Sequence, residues 1–238
     1  MEIAENGFTT GSPTHILCLL VSLALAFCIA RSGRRWSTDS AASIRLRWFL
    51  VAGSLLSWIG NAIWFMLPAN LIIEETLPLH FCNFTNLFAA IAIAKRVRFF
   101  QGILYFWTFA LTSWAFLTPA LMHGPASVEF WAFWIYHFFI LAAVTFVLTT
   151  DKFRPVWQDF RRTLLFTTIC MIALFILNRI AGWNYGFVGA SDPQQPTLID
   201  FLGNYPIRII WMWMLGTLLF ALLMIPWRKK GKSSEPVI

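Results

Sequence analysis

Residues 128–149 read VEFWAFWIYHFFILAAVTFVLT, with Glu129 at the front, His137 near the middle, and otherwise only apolar, aromatic and threonine side chains. As a helix the stretch is about 33 Å long at 1.5 Å per residue. That matches a bilayer's hydrocarbon core of about 30 Å. Backbone polar groups in lipid must be satisfied within the segment, so this stretch predicts a transmembrane helix.

Working outward, similar runs occupy 14–30, 48–67, 78–94, 99–121, 163–181 and 205–226. The run at 78–94 is short and interrupted by polar residues. The first run has no basic segment before it, and Arg31, Arg34 and Arg35 follow it, which predicts a retained anchor rather than a cleaved signal. Composition agrees. The 238 residues are 58% hydrophobic and 12% charged, with mean hydropathy +0.67, whereas soluble domains run nearer a quarter charged. The fold class expected is all-α: one domain over 1–238, a bundle of about seven transmembrane helices.

A net charge of +7 first suggests nucleic acid, but its placement argues otherwise. Sixteen of the eighteen Lys and Arg residues fall on alternate connections. Arg31, Arg34, Arg35, Arg45 and Arg47 lie between spans one and two, and Lys95, Arg96 and Arg98 between three and four. Lys152, Arg154, Arg161 and Arg162 lie between five and six, and Arg228, Lys229, Lys230 and Lys232 follow span seven. The opposite connections carry Glu2, Glu5, Glu74, Glu75, Glu129, Asp192 and Asp200. The positive-inside rule then predicts a plasma-membrane protein with its N-terminus outside and its C-terminus in the cytoplasm. Nucleic acid is excluded as a partner; membrane lipids are the partners expected, and the oligomeric state is left open. The longest outer connection, Gly182–Asn204, exceeds the length of an ordinary loop.

Ionisable side chains at membrane depth each need a reason. His15, His80, Cys82, Asn83, Arg179 and Arg208 lie near the outer ends of their spans, and His137 about ten residues, roughly 15 Å, into span five. The half of the bundle toward the basic connections reads as plain, so a polar cavity opening outward is expected. Blander roles compete: snorkelling for Arg179 and Arg208, a helix cap for His15, a structural hydrogen bond for His137. The four cysteines, Cys18, Cys28, Cys82 and Cys170, form no CxxC or Cys/His metal pattern. No HxxxH motif occurs, which argues against an intramembrane zinc hydrolase. Span seven lacks a Schiff-base lysine, which argues against a retinal protein. No cofactor is called for. His80 and Cys82 sit about 200° apart on a helix, so a basic partner for Cys82 would have to come from another helix. His137 is the candidate, offset nominally by about 7 Å in depth. Pro78 allows Leu71-Ile72-Ile73 to enter first and the helix proper to start deeper.

The segment Leu77-Pro78-Leu79-His80-Phe81-Cys82 resembles the LPLHxC signature of the YwaF-like bacterial integral membrane proteins. Further pieces fall in the same order: Ser12-Pro13-Thr14-His15, Thr118-Pro119, His137, Asn184-Tyr185 and Asp200-Phe201-Leu202-Gly203 before Tyr205-Pro206. That family is similar to animal transmembrane protein 164, described as an acyltransferase that remodels ether phospholipids through a cysteine. More distantly it is similar to the androgen-inducible membrane hydrolases. The resemblance implies Cys82 as nucleophile and His137 as base. A free thiol is mostly protonated at neutral pH, and a neighbouring imidazole can take its proton to give a nucleophile for acyl transfer. His80, Asn83, Asn184 and Tyr185 are candidate donors to the tetrahedral intermediate. Arg179 and Arg208 are candidates for a phosphate headgroup, and His15 matches the family's opening histidine.

The expected function is therefore a membrane-embedded lipid acyltransferase or acyl hydrolase acting from the outer leaflet. A small-molecule transporter with an outward-facing polar cavity is the alternative, though no internal repeat supports it.

Overall fold

The computed structural model describes residues 7–191 and 198–227, without the side chains of 74, 75 and 198. Of the charged residues on which the expected orientation rests, Glu2, Glu5, Asp192, Arg228, Lys229, Lys230 and Lys232 lie outside the described residues, as do the side chains of Glu74 and Glu75.

The regular secondary structure of the described residues is all helical, without a strand. The order is α1 (Pro13–Arg35), α2 (Ala41–Met66), α3 (Ile73–Thr76), α4 (Phe81–Lys95), α5 (Arg98–Trp107), a π turn (Thr108–Thr112), α6 (Ser113–Leu117), α7 (Val128–Thr149), α8 (Trp157–Ala181) and α9 (Arg208–Leu223). Five helical stretches are long and apolar enough to cross a membrane: 13–35, 41–66, 128–149, 157–181 and 208–227. The two remaining expected spans take other forms. One is the short α4, and the other is the run of α5, π turn and α6.

Local chemistry starts and stops these helices. Ser12, Ser40 and Ser127 each accept a first-turn backbone N–H through the side chain, from His15, Ser43 and Phe130, satisfying donors that have no intrahelical acceptor. Pro13 occupies the first turn of α1, where its missing N–H costs nothing. Gly182, at φ 77°, ends α8 in the left-handed conformation that suits glycine.

Three helix boundaries correct the sequence reading. α1 runs on to Arg35, α2 begins at Ala41 and α8 at Trp157. Arg31, Arg34, Arg35, Arg45, Arg47, Arg161 and Arg162 are thus helical rather than loop residues. Hydropathy registers only the lipid-facing stretch, whereas arginine is a good helix former and extends each helix beyond it.

The chain forms two compact units that divide after Phe153. In the first, α7 is the central helix. Half of its most apolar window is buried, against 17% for α1 and α2, and it packs on α1, α2, α4 and α5. Ala89, Ala90 and Ala92 give α4 a small-residue face that permits close approach. Gly53 serves the same end on α2: a Cβ there would stand 2.0 Å from the Phe139 ring of α7. Gly53→Val is expected to cost about 1–3 kcal/mol through overpacking. The expected reading is a lowered thermal midpoint in detergent, largely restored by Phe139→Ala in the same chain.

The half of this unit expected to be plain is not. Arg47 of α2 ion-pairs with Asp151, the two side chains being 5% and 3% exposed. It also donates to the Ile93 carbonyl at 2.6 Å, in the last turn of α4, and lies 4.9 Å over the Phe146 ring. Arg96 adds contacts to Asp39 at 3.0 Å and Asp151 at 3.8 Å. A buried charge survives where it is both paired and hydrogen-bonded, so this cluster ties α2, α4 and the chain after α7 together.

In the second unit, Trp213 of α9 donates to Thr168 of α8 at 2.8 Å, and the Arg154 guanidinium lies 5.2 Å over the Trp227 ring.

Candidate functional site

Cys82 is the second residue of α4, and His80 is the N-cap residue with extended backbone. The helix therefore begins at Phe81, three residues later than the sequence reading placed it. The thiol sits in the first helical turn, where the unpaired N–H groups favour an anion. Its surroundings come from two other elements. The Thr112 hydroxyl, at the end of the π turn, neighbours the thiol without closing a regular hydrogen bond to it. Tyr136 of α7 is its electrostatic neighbour. π turns often occur at functional sites because the extra residue re-aims a side chain.

Tyr136 is 3% exposed and donates its phenolic hydrogen to Asn83 Oδ1 at 2.6 Å. One turn on, Asn86 Nδ2 donates to Ser57 Oγ at 3.2 Å and to the Tyr136 carbonyl at 3.4 Å. Asn83 and Asn86, three apart, share one face of α4 and stitch it to α7 and α2. Four atoms along this seam are buried without a partner: Ser54 Oγ, Asn86 Oδ1, Thr108 Oγ1 and Thr112 Oγ1. Each such group carries a desolvation cost. The Asn83 amide nitrogen makes no hydrogen bond among the described residues, which leaves it two hydrogens to donate.

His137 is 6% exposed. Its Nδ1 lies 2.8 Å from the Phe133 carbonyl one turn earlier. A carbonyl only accepts, so the network assigns the proton to Nδ1 and leaves Nε2 as a lone pair. Nε2 makes no hydrogen bond among the described residues. No hydrogen bond joins His137 to Cys82 among the described residues.

His15 takes the opposite tautomer. Gly11 N–H donates to Nδ1 at 2.9 Å, so Nε2 carries the proton and donates to the Phe116 carbonyl at 2.8 Å. That carbonyl, in the last turn of α6, has no intrahelical donor. Phe116 connects the two histidines, its ring centre being 6.1 Å from the His137 ring. Ser12 is the helix cap, and His15 links the start of α1 to the end of α6.

The remaining candidates lie in the second unit. Asn178, in the last turn of α8, holds the Tyr185 backbone from both sides, at 2.8 and 3.0 Å. Asn184 Oδ1 accepts from Gly189 N–H at 2.9 Å. Arg179 is exposed. Arg208 is 3% exposed, ion-paired with Asp200, hydrogen-bonded to Ser191, and donates to the Gly189 carbonyl at 2.6 Å. Its guanidinium thus organises the connection from α8 to α9 from inside.

Sequence reasoning missed Tyr136, Thr112, Asn86 and Asn178. The spacings were visible: Asn83 with Asn86, and Thr108 with Thr112, repeat at one helical turn within apolar runs. What could not be read was the π turn that re-aims Thr112.

Five helices fit to span a bilayer, with a polar seam buried between α4 and α7, define a polytopic α-helical membrane protein. The chain belongs to the TMEM164 family, whose family model matches residues 10–224. No curated protein and no solved structure matches the chain.

Proposed function

We propose that the chain is a lipid acyltransferase or acyl hydrolase working within the membrane, with Cys82 as nucleophile and His137 as base. The observation that carries the reading is the His137 tautomer: Nδ1–H is held by the Phe133 carbonyl, and Nε2 keeps an unengaged lone pair, on the residue next to the Tyr136 that binds Asn83. A side chain oriented at one nitrogen and open at the other is what a general base needs.

In the proposed reaction the Cys82 proton passes to His137 Nε2 as sulfur attacks an ester carbonyl carbon. The tetrahedral oxyanion accepts from the Asn83 amide hydrogens, and Tyr136 keeps that amide oriented through Asn83 Oδ1. Collapse expels the lipid alcohol, which takes the proton from the imidazolium and leaves a thioester on Cys82. A second lipid hydroxyl, or water, then attacks the thioester and regenerates the thiol. Membrane lipids are thus both solvent and substrate. Purified protein supplied with a fluorescent-acyl phospholipid should carry the acyl mass on the peptide containing Cys82 after acid quench. An unlabelled peptide together with undiminished turnover would remove Cys82 from the reaction.

A transporter is the second reading, favoured by the buried, unpaired Ser54, Asn86, Thr108 and Thr112 atoms. Solute flux into proteoliposomes that survives Cys82→Ala would decide for it.

The proposed placement is the plasma membrane, N-terminus outside and C-terminus cytoplasmic, on the alternation of basic residues. Single cysteines at positions 96 and 161, in a background with the native cysteines replaced, should react with a membrane-impermeant maleimide only after permeabilisation. Labelling of intact cells would reverse the orientation.

A further inference from the structure

The exposed side of α1 carries an arrangement that neither the proposed chemistry nor the packing uses. At 100° per residue, the buried residues of α1, His15, Ser22, Ala26 and Gly33, fall on one narrow strip. Leu20, Leu23 and Phe27 lie away from that strip and are 57%, 51% and 65% exposed. Continuing along the same exposed face come Arg31, Arg34 and Arg35, and a cavity of about 200 Å³ opens among Phe27, Ala30 and these three arginines.

None of the three guanidinium groups makes a hydrogen bond or ion pair among the described residues. Like charges three and four residues apart repel one another. Attraction to the carboxyl end of the helix favours Arg34 and Arg35 in the last turn, but it does not supply an anion for the cavity they share with Arg31. The aligned apolar strip and unpaired basic cluster span about 21 Å from Leu20 to Arg34. That footprint is amphiphilic: chain at one end, anionic headgroup at the other.

We propose that this face of α1 is a binding site for an anionic phospholipid. The phosphate is held by Arg31, Arg34 and Arg35, whose planar donor sets suit a phosphate's oxygens, and an acyl chain lies along Phe27, Leu23 and Leu20. Charge complementarity selects the occupant, since anionic lipids are attracted to basic clusters at helix ends. The site is independent of the Cys82 chemistry.

The test uses the full-length protein in detergent, with binding measured by native mass spectrometry. Phosphatidylglycerol should bind at least about tenfold more tightly than phosphatidylcholine of the same chains. Replacing all three arginines (R31Q, R34Q, R35Q) should remove that preference, while the exposed pair R161Q and R162Q should change it less than twofold. Phe27→Asp, which leaves the arginines in place, should weaken phosphatidylglycerol as well. Equal affinity for the two lipids overturns the proposal, and so does an equal loss in the 161/162 variant, which would mean general attraction to positive charge. Competition by millimolar inorganic phosphate as effective as by the lipid, with no effect of Phe27→Asp, would make it a simple anion site and overturn the lipid assignment.

Discussion

Cys82→Ala should abolish acyl transfer from phospholipid, with turnover falling by at least about a thousandfold, because removing a nucleophile removes the covalent route itself. His137→Ala should cost about a hundred- to ten-thousandfold, the range for loss of a positioned base. Cys82→Ser should retain little activity, since a hydroxyl is far harder to deprotonate than a thiol. Cys18, Cys28 and Cys170 should all tolerate alanine. Release of a fluorescent fatty acid and formation of acylated lipid, measured on folded protein, read these outcomes. Full activity in Cys82→Ala would end the nucleophile assignment. Loss on His137→Ala with normal activity in Cys82→Ala would move the chemistry to water activated by the imidazole.

The second large effect concerns stability. Asp151→Ala leaves the Arg47 charge buried against the Phe146 ring and the Ile93 carbonyl without its counter-ion. Breaking one side of a buried pair costs about 3–5 kcal/mol. For a chain of this length that lowers the thermal midpoint by roughly 10 °C. Replacing both partners, Arg47→Met with Asp151→Ala, should recover most of the loss, because the penalty belongs to the orphaned charge more than to the missing attraction. The four midpoints of the cycle give the coupling directly. A double variant no better than Asp151→Ala would show that the Ile93 carbonyl, deprived of Arg47, is the costly group.

Much of the fold was legible because lipid restricts the answer so strongly. A long and mostly apolar stretch such as 128–149 is confined in lipid to the few conformations that satisfy their own backbone, and the structure forms a helix over those residues. Arg47 shows where legibility stopped. As a count of charge it belonged with its neighbours in a connection. Its burial depends on Asp151, distant by 104 positions, and no local pattern announces such a pairing. The site divides in the same way. Cys82, Asn83 and His137 stood out because polar groups in apolar runs are conspicuous. Tyr136 did not, since a tyrosine amid WAFWIYHFF reads as one more aromatic until its hydroxyl is seen on Asn83. Arg208 stood out as an available cation, yet its proximity to Asp200 and Ser191 uses its charge internally.

The π turn at Thr108–Thr112 has a geometric consequence beyond Thr112 itself. Each hydrogen bond there skips one residue more than in a regular helix, and one residue is worth about 100° of rotation. Everything after it, including the Phe116 carbonyl that receives His15 and the ring beside His137, is indexed by the number of residues in the turn rather than by their identity. Adding a further residue there, beyond the one the wide turn already absorbs, would spare α5 and swing α6 through roughly a quarter of a revolution. Phe116 would then be carried off both histidines at once. The link between the start of α1 and the centre of α7 is therefore a matter of counting, a constraint that no single-site substitution can probe and only a change of length exposes.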